Sequence, residues 1–210
     1  MNNARRVGII VIIFILIAIL LVILIPNFSN TYTYTGSSGE KFTFTKARVG
    51  DLTMHVLTTY TKYKNDNKNY QQVIPLRYGP KELENIKADK NINDKILNKK
   101  YIYITLNPNM TGDALLASID IAKVTGTADY SVFKIPTQGA LVHPTNNSNA
   151  SETPIITCNN ANKDIGVIRM YIGKENRIAS LKECVVVEAI NDKDLIKVAD
   201  RLVYNLLGVM

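Results

Sequence analysis

Histidine and cysteine are scarce, with two of each among 210 residues. A metal centre draws on clusters of such ligands or of carboxylates. His55 and His143 each stand alone on their stretch, and no C-x-x-C or H-E-x-x-H spacing is present. The chain also lacks a Walker phosphate loop, a G-x-G-x-x-G turn and a G-x-S-x-G elbow, which leaves nucleotide binding and serine hydrolysis without a motif. The closest carboxylate pairs, Glu82 with Glu84 and Asp192 with Asp194, fall where helix N-termini are expected and read as dipole-compensating charges. No catalytic, cofactor-binding or metal-ligating residue is therefore assigned. Basic runs are short and interrupted as well. Lys62, Lys64 and Lys68 form one and Lys99 with Lys100 another, so the net charge of +7 reads as a solvated surface and not a nucleic-acid face.

Charge is missing altogether from Val7 to Ile25 (VGIIVIIFILIAILLVILI). As a helix this stretch would measure about 28 Å, close to the hydrocarbon thickness of a bilayer. Arg5 and Arg6 precede it, and after Pro26 no basic residue occurs before Lys41. The positive-inside rule then keeps residues 1–6 in the cytoplasm and sends the rest outward. The apolar run exceeds the about 7–15 residues of a cleaved signal peptide and carries no A-x-A-like site, so it reads as an uncleaved transmembrane signal anchor. The expected location is the cell membrane, single-pass, with a C-terminal extracytoplasmic domain.

In that compartment an even cysteine count favours a disulfide, here Cys158 with Cys184, brought together by neighbouring strands. Four sequons begin at Asn27, Asn109, Asn146 and Asn149 and are candidate glycosylation sites.

The expected fold class is α+β (α/β). Residues 27–99 read as a β-rich half. Tyr32-Thr33-Tyr34 and Phe42-Thr43-Phe44 flank Gly36–Gly39 as a hairpin with one aromatic face. Leu52–Tyr63 and Asn69–Arg77 form a second hairpin, with Pro75 placing its return strand at a sheet edge. Short helices are expected over Lys81–Ile86 and Ile92–Leu97. Residues 100–210 read as an α/β half. Strand Lys100–Leu106, a well-buried helix Gly112–Val124 and strand Ser131–Ile135 make a β-α-β unit, with a right-handed crossover if its strands are parallel. Strands at Pro154–Cys158 and Asp164–Ile172 follow. The second turns at Gly173 and continues as Arg177–Ser180, before a buried strand Cys184–Glu188. A C-terminal amphipathic helix, capped by Asn191 or Asp192, carries Leu195, Ile196, Ala199, Leu202, Val203, Leu206 and Leu207 on one face, for packing on a sheet.

The segments IPLRYGPKELENI (74–86), YIYITLNPN (101–109), IITCNNA (155–161) and the stretch 184–210 resemble a group of small membrane-anchored archaeal envelope proteins of unknown function. The resemblance implies an archaeal cell envelope and a two-cysteine α/β domain, and carries no activity or functional residue. A shorter likeness is to the nucleophile strand of sortase transpeptidases: Thr153-Pro154-Ile155-Ile156-Thr157-Cys158, with Arg169 one strand later. That chemistry requires a free thiol, a basic group and an arginine near the developing oxyanion. Cys184 as disulfide partner would remove the thiol. His143 lies close to Cys158 in sequence, whereas the family's histidine lies well upstream, and His55 falls inside a predicted strand.

The expected function is a non-enzymatic binding or assembly component of the envelope, a glycoprotein with protein partners or further copies of itself. The alternatives are a sortase-like cysteine transpeptidase and a small-ligand binding or sensor module.

Overall fold

In the computed structural model, which describes residues 30–62, 69–145 and 152–210, the first strands follow from side-chain alternation. β1 (Thr31–Thr35) and β2 (Lys41–Val49) pair antiparallel, Tyr32 opposite Phe44 and Tyr34 opposite Phe42. A period of two sends all four aromatics to one face. The rings of Tyr32 and Phe44 stack with centroids 5.2 Å apart. Gly39 takes φ +83° in the connecting turn, a conformation that glycine adopts at no steric cost. β3 (Leu52–Lys62) and β4 (Asn69–Leu76) complete a four-stranded antiparallel meander in chain order. Pro75 lies on β4, an edge strand, as its missing N–H requires.

The second sheet is mixed. Its strands are β5 (Lys87–Ala88), β6 (Tyr101–Leu106), β7 (Thr137–Leu141), β8 (Ile165–Ile172), β9 (Arg177–Leu181) and β10 (Cys184–Ala189), in the order β5-β9-β10-β8-β6-β7. β10, β8, β6 and β7 run parallel, and β9 is antiparallel to β10. β10 is buried along its whole length, as a central strand covered on both faces must be. Among the described residues three α-helices complete the α+β fold: α1 (Ile92–Leu97), α2 (Gly112–Thr125) and α3 (Asp192–Leu206). Thr31–Met210 form one compact unit.

α3 is the centre of the core. Asn191 caps it, its side-chain oxygen accepting from the Asp194 N–H. The predicted stripe of Leu195, Ile196, Ala199, Leu202, Val203 and Leu206 is buried, but so are Asp194, Asp200 and Tyr204 on other faces. The helix shares one hydrophobic cluster with Ile168, Met170, Val185 and Val187 of the mixed sheet and with Phe44, Leu57 and Leu76 of the meander. The Phe44 ring meets Tyr204 edge-on at 5.7 Å. The Tyr204 hydroxyl donates to the Tyr78 carbonyl at 2.8 Å. Asp200 Oδ2 accepts from the Arg77 and Tyr78 N–H groups, both at 3.0 Å.

Several sequence expectations are corrected. The strand expected at Ser131–Ile135 is replaced by β7 at Thr137–Leu141. The N–H groups of Val132 and Phe133 donate to the Val124 carbonyl and that of Ile135 to the Thr125 carbonyl, so they finish α2 and are not free for a ladder. β7 does run parallel to β6. The expected strand Pro154–Cys158 is reduced to a single bridge between Ile155 and Leu141, after which Thr157 caps a 3-10 turn over Cys158–Asn160. The helix expected over Lys81–Ile86 is a 3-10 turn, Pro80–Leu83. The expected continuation at Arg177–Ser180 is a separate strand, β9 (Arg177–Leu181), with β10 between it and β8. α2 is less buried than expected: Leu115, Leu116 and Ile119 are 55, 40 and 40% exposed on the face turned from α3.

The predicted anchor, Val7–Ile25, lies outside the described residues, as do Asn27, Asn146 and Asn149. Among the described residues no helix is long and apolar enough to cross a membrane.

Burial pushes the Asp200 carboxyl up to about 8, against the lowering effect of its two amide donors. The unfolded chain releases that proton near 4. Between about pH 4 and about pH 8 the native state therefore holds a proton that the unfolded state has lost, and stability falls as pH rises through this window. Asp200→Asn keeps an oxygen for the two N–H groups and removes the titration. The urea midpoint of D200N should change less between pH 5 and pH 8 than that of the natural chain. Equal slopes for the two proteins would mean that Asp200 ionises normally when folded.

Candidate functional site

Three groupings of chemistry-bearing side chains are considered. The first is the cysteine pair. Cys158 and Cys184 are joined in a disulfide, Cα to Cα 5.2 Å, and no free cysteine remains. Cys184 faces the side of β10 away from the helices, beside Val167 and Val186. Cys158 sits on the Thr157-capped turn and not on a strand. The bond holds Ile156 and Ala161 against that sheet face, and the Thr105 hydroxyl donates to the Ile156 carbonyl at 2.7 Å. A disulfide sulfur is not the thiolate nucleophile that transpeptidation needs.

The second grouping surrounds His55, which the sequence left isolated. The fold brings the Tyr32 hydroxyl to 2.6 Å from its Nδ1 and Glu82 Oε1 to 3.3 Å from its Nε2. An ionised carboxylate only accepts, so Nε2 carries the proton and the Tyr32 hydroxyl donates to Nδ1. Burial, reinforced by Glu82, pushes the Tyr32 phenol up to about 12. Burial also lowers the His55 pKa, with Glu82 opposing and Lys46 assisting. A phenol this reluctant to ionise and already bonded is a poor nucleophile. Glu82 also accepts from the Gly79 N–H at 2.9 Å, so the cluster clips the turn Pro80–Leu83 to β1 and β3. His143 is exposed, its Nδ1 bonded to the Pro144 carbonyl at 3.0 Å. Among the described residues no group of three or more His, Cys, Asp and Glu could hold a metal ion.

The third is a crevice of about 320 Å³ lined by Asn107, Asn109, Met110, Val142, Arg169, Met170, Tyr171, Ile172 and Asp192. Its position follows from the topology. Asn107–Met110 follow β6, Val142 follows β7, and Arg169–Ile172 end β8. In strand order the chain moves from β6 to β7 toward one edge of the sheet and from β8 to β9 and β10 toward the other. Connections that diverge in this way open a cleft at the carboxyl ends of parallel strands, where open α/β sheets bind ligands.

Two of the lining residues each hold a buried atom without a hydrogen-bond partner. Arg169 packs its guanidinium 5.5 Å from the centre of the Tyr171 ring, yet its Nε is buried without a hydrogen-bond partner. Asp192 Oδ1 is likewise buried and unpartnered. Nearby Arg177 differs, its Nε donating to Glu188 at 2.7 Å. Glu188 also accepts from the Lys174 N–H at 2.8 Å, and a Cβ on Gly173 would collide with the Glu188 side chain, which would have to shift. Asn109, the one sequon asparagine among the described residues, is exposed at the rim.

Arg169 was legible in the sequence only beside Cys158. That Asp192, 23 positions later, lines the same crevice was not, because this depends on which strand ends open there. A loop of Asn107-Pro108-Asn109 after an apolar strand, followed by a capped helix, was the available signal.

Replacing both cysteines (C158A/C184A) releases a loop spanning 26 positions and should cost about 3 kcal/mol in the loop-entropy model. Hydrogen exchange should speed up most over residues 152–161 and least in α3. Acceleration spread evenly into α3 would show that the bond supports the whole core.

No protein-family model matches the chain, and no curated protein and no solved structure matches it.

Proposed function

We propose that the chain is a single-pass, membrane-anchored outer domain of the cell envelope that works by binding, and that the crevice at the ends of β6, β7 and β8 holds a small polar ligand through a negatively charged group on Arg169. The carrying observation is the crevice at the carboxyl ends of parallel strands, with the cationic Arg169 among its lining residues. A partly buried arginine gains from a carboxylate or phosphate, whose geometry it matches through two N–H groups. The uncharged stretch Val7–Ile25 with Arg5 and Arg6 before it supports the anchor and the outward orientation. The disulfide agrees with an oxidising compartment. It also speaks against the cysteine transpeptidase, whose nucleophile would be Cys158.

The test uses full-length chain from alkaline-washed membranes, where retention through the wash checks the anchor. Small carboxylates and phosphates should raise its melting temperature, and Arg169→Gln should abolish the shift while leaving the unliganded melting temperature nearly unchanged. A panel that leaves the natural chain unmoved, or that stabilises R169Q equally, refutes the assignment.

A second reading, assembly with further copies of the chain, is favoured by Leu115, Leu116 and Ile119 on the outward face of α2. A membrane anchor confines copies to a plane, where weak contacts suffice. Crosslinking in native membranes should give dimers or larger species that Leu116→Lys diminishes. A chain that stays monomeric there counts against assembly.

A further inference from the structure

Resting on the anchor read at Val7–Ile25, we propose that the tip of the β2–β3 hairpin is a second membrane contact, its apolar face seated at the headgroup boundary of the bilayer that holds the chain. β2 and β3 stay paired as far as Val49 opposite Leu52, with Gly50-Asp51 as the turn between them. β1 begins at Thr31, opposite Thr45, and β4 ends at Leu76, opposite His55. Ala47–Met54 therefore project beyond both flanking strands as a bare two-stranded ribbon. Cross-strand partners share a face, and successive residues alternate between faces. One face of the ribbon thus carries Ala47, Val49, Leu52 and Met54, all apolar. The other carries Arg48 and Thr53 and continues into Lys46, whose ammonium lies 5.6 Å from the centre of the Tyr32 ring. Val49 is 64% exposed and Leu52 54%. Farther along β1–β3 the apolar face gives way to exposed threonines, Thr33, Thr43, Thr45 and Thr58. Apolar residues scattered singly on a surface need no explanation, but four on one face of a projecting ribbon make a patch. Two strands alone are marginal in water, so the ribbon gains from a surface to lie against.

The length of chain before β1 selects the occupant. β1 runs antiparallel to β2, so the chain enters β1 at the end of the meander from which the ribbon projects. Five residues, Pro26–Asn30, separate Ile25 from Thr31 and span at most about 18 Å. The ribbon reaches past Thr45 by the four β2 residues Lys46–Val49, about 14 Å at the antiparallel rise. A ribbon of that length, pointing the way the chain enters, spans the gap that so short a tether leaves. Charge fits the same occupant. Lys46 and Arg48 stand on the face opposite the apolar patch and are exposed, and such side chains reach headgroup phosphates while their stems cover apolar surface. Asp51, in the turn, is opposite in sign and stays in the aqueous layer. The free edges of the ribbon keep backbone groups that need water or headgroup oxygens, which limits insertion to the boundary region. The short tether makes this second contact an intramolecular one, so shallow insertion suffices. Two attachments in place of one stop the domain from pivoting on its anchor.

The chain contains no tryptophan, so a single substitution makes a unique fluorescent reporter. Leu52→Trp and, on the facing strand, Val49→Trp place the indole on the apolar face of the ribbon. Tyr60→Trp, toward the other end of β3 and 65% exposed, is the reference. All three positions are exposed, so the variants leave the core intact. Each full-length variant is reconstituted into vesicles of phosphatidylcholine and phosphatidylglycerol, with and without lipids brominated on the upper acyl chain. L52W and V49W should emit at shorter wavelength than Y60W and be quenched at least about twofold more strongly, because an interfacial apolar face sits roughly 5–10 Å into the headgroup and acyl boundary.

Failure of the hairpin contact and failure of the anchor give different results. Release of the natural chain from membranes by an alkaline wash removes the anchor, and the hairpin contact falls with it. Retention through the wash, with L52W and V49W quenched no more than Y60W, leaves the anchor standing and overturns the hairpin contact. A shorter emission wavelength without bromine quenching places the ribbon against protein, another copy or a partner, and overturns it as well.

Discussion

The burial of α3 is the constraint on which the rest of the fold depends. One helix supplies apolar side chains to the mixed sheet and to the antiparallel meander at once, so polar groups on its flanks are buried along with the stripe. Those groups then need partners. Asp200 finds them in the amides of Arg77 and Tyr78, and the Tyr204 hydroxyl in the Tyr78 carbonyl. The chain leaving β4 is thereby fixed to α3 at one point. The neighbouring turn Pro80–Leu83 is fixed to β1 and β3 through Glu82, His55 and Tyr32. Polar contacts of this kind add little net stability, but leaving them unmade inside the core would be expensive, so they select one arrangement of the layers.

The same packing determines where the molecule can be open. The helix side of the mixed sheet is filled by α3 and α2, and part of the opposite face is covered by the segment that Cys158 pins to β10. At the carboxyl ends of β6 and β8, whose connections run toward opposite edges of the sheet, the covering is incomplete and a crevice remains. Arg169 and Asp192 both line that crevice as a result of topology. Arg177, on β9 beyond β10, is already paired with Glu188, so the two basic residues differ in role although they share a sheet face.

Legibility followed the range of the interactions. Elements whose signal is local were readable within a residue or two: the Tyr and Phe hairpin, Ile92–Leu97, the helix begun after Met110, β10, and α3 with its Asn191 cap. β7 was missed because its sequence, Thr137–Leu141, is polar and lies at an exposed sheet edge, where hydrophobic alternation is weak. Ser131–Ile135 has better strand composition, yet its amides are consumed in closing α2. The outward face of α2 carries Leu115, Leu116 and Ile119, so its composition suggested fuller burial than its one-sided packing provides.

By itself the sequence determined the uncharged stretch 7–25, the alternation that builds the meander, the apolar stripe and cap of α3, and a cysteine pair available for oxidation. Each depends on neighbours within a few positions or on composition alone. Tertiary structure decided the strand order β5-β9-β10-β8-β6-β7, the second buried face of α3, the partners of His55 and the crevice that Arg169 and Asp192 both line. These join residues tens of positions apart, and the chain between them can be routed in several ways that satisfy the same local pattern. The competition for burial on α3 selects among those routes, and that competition exists only in the folded molecule.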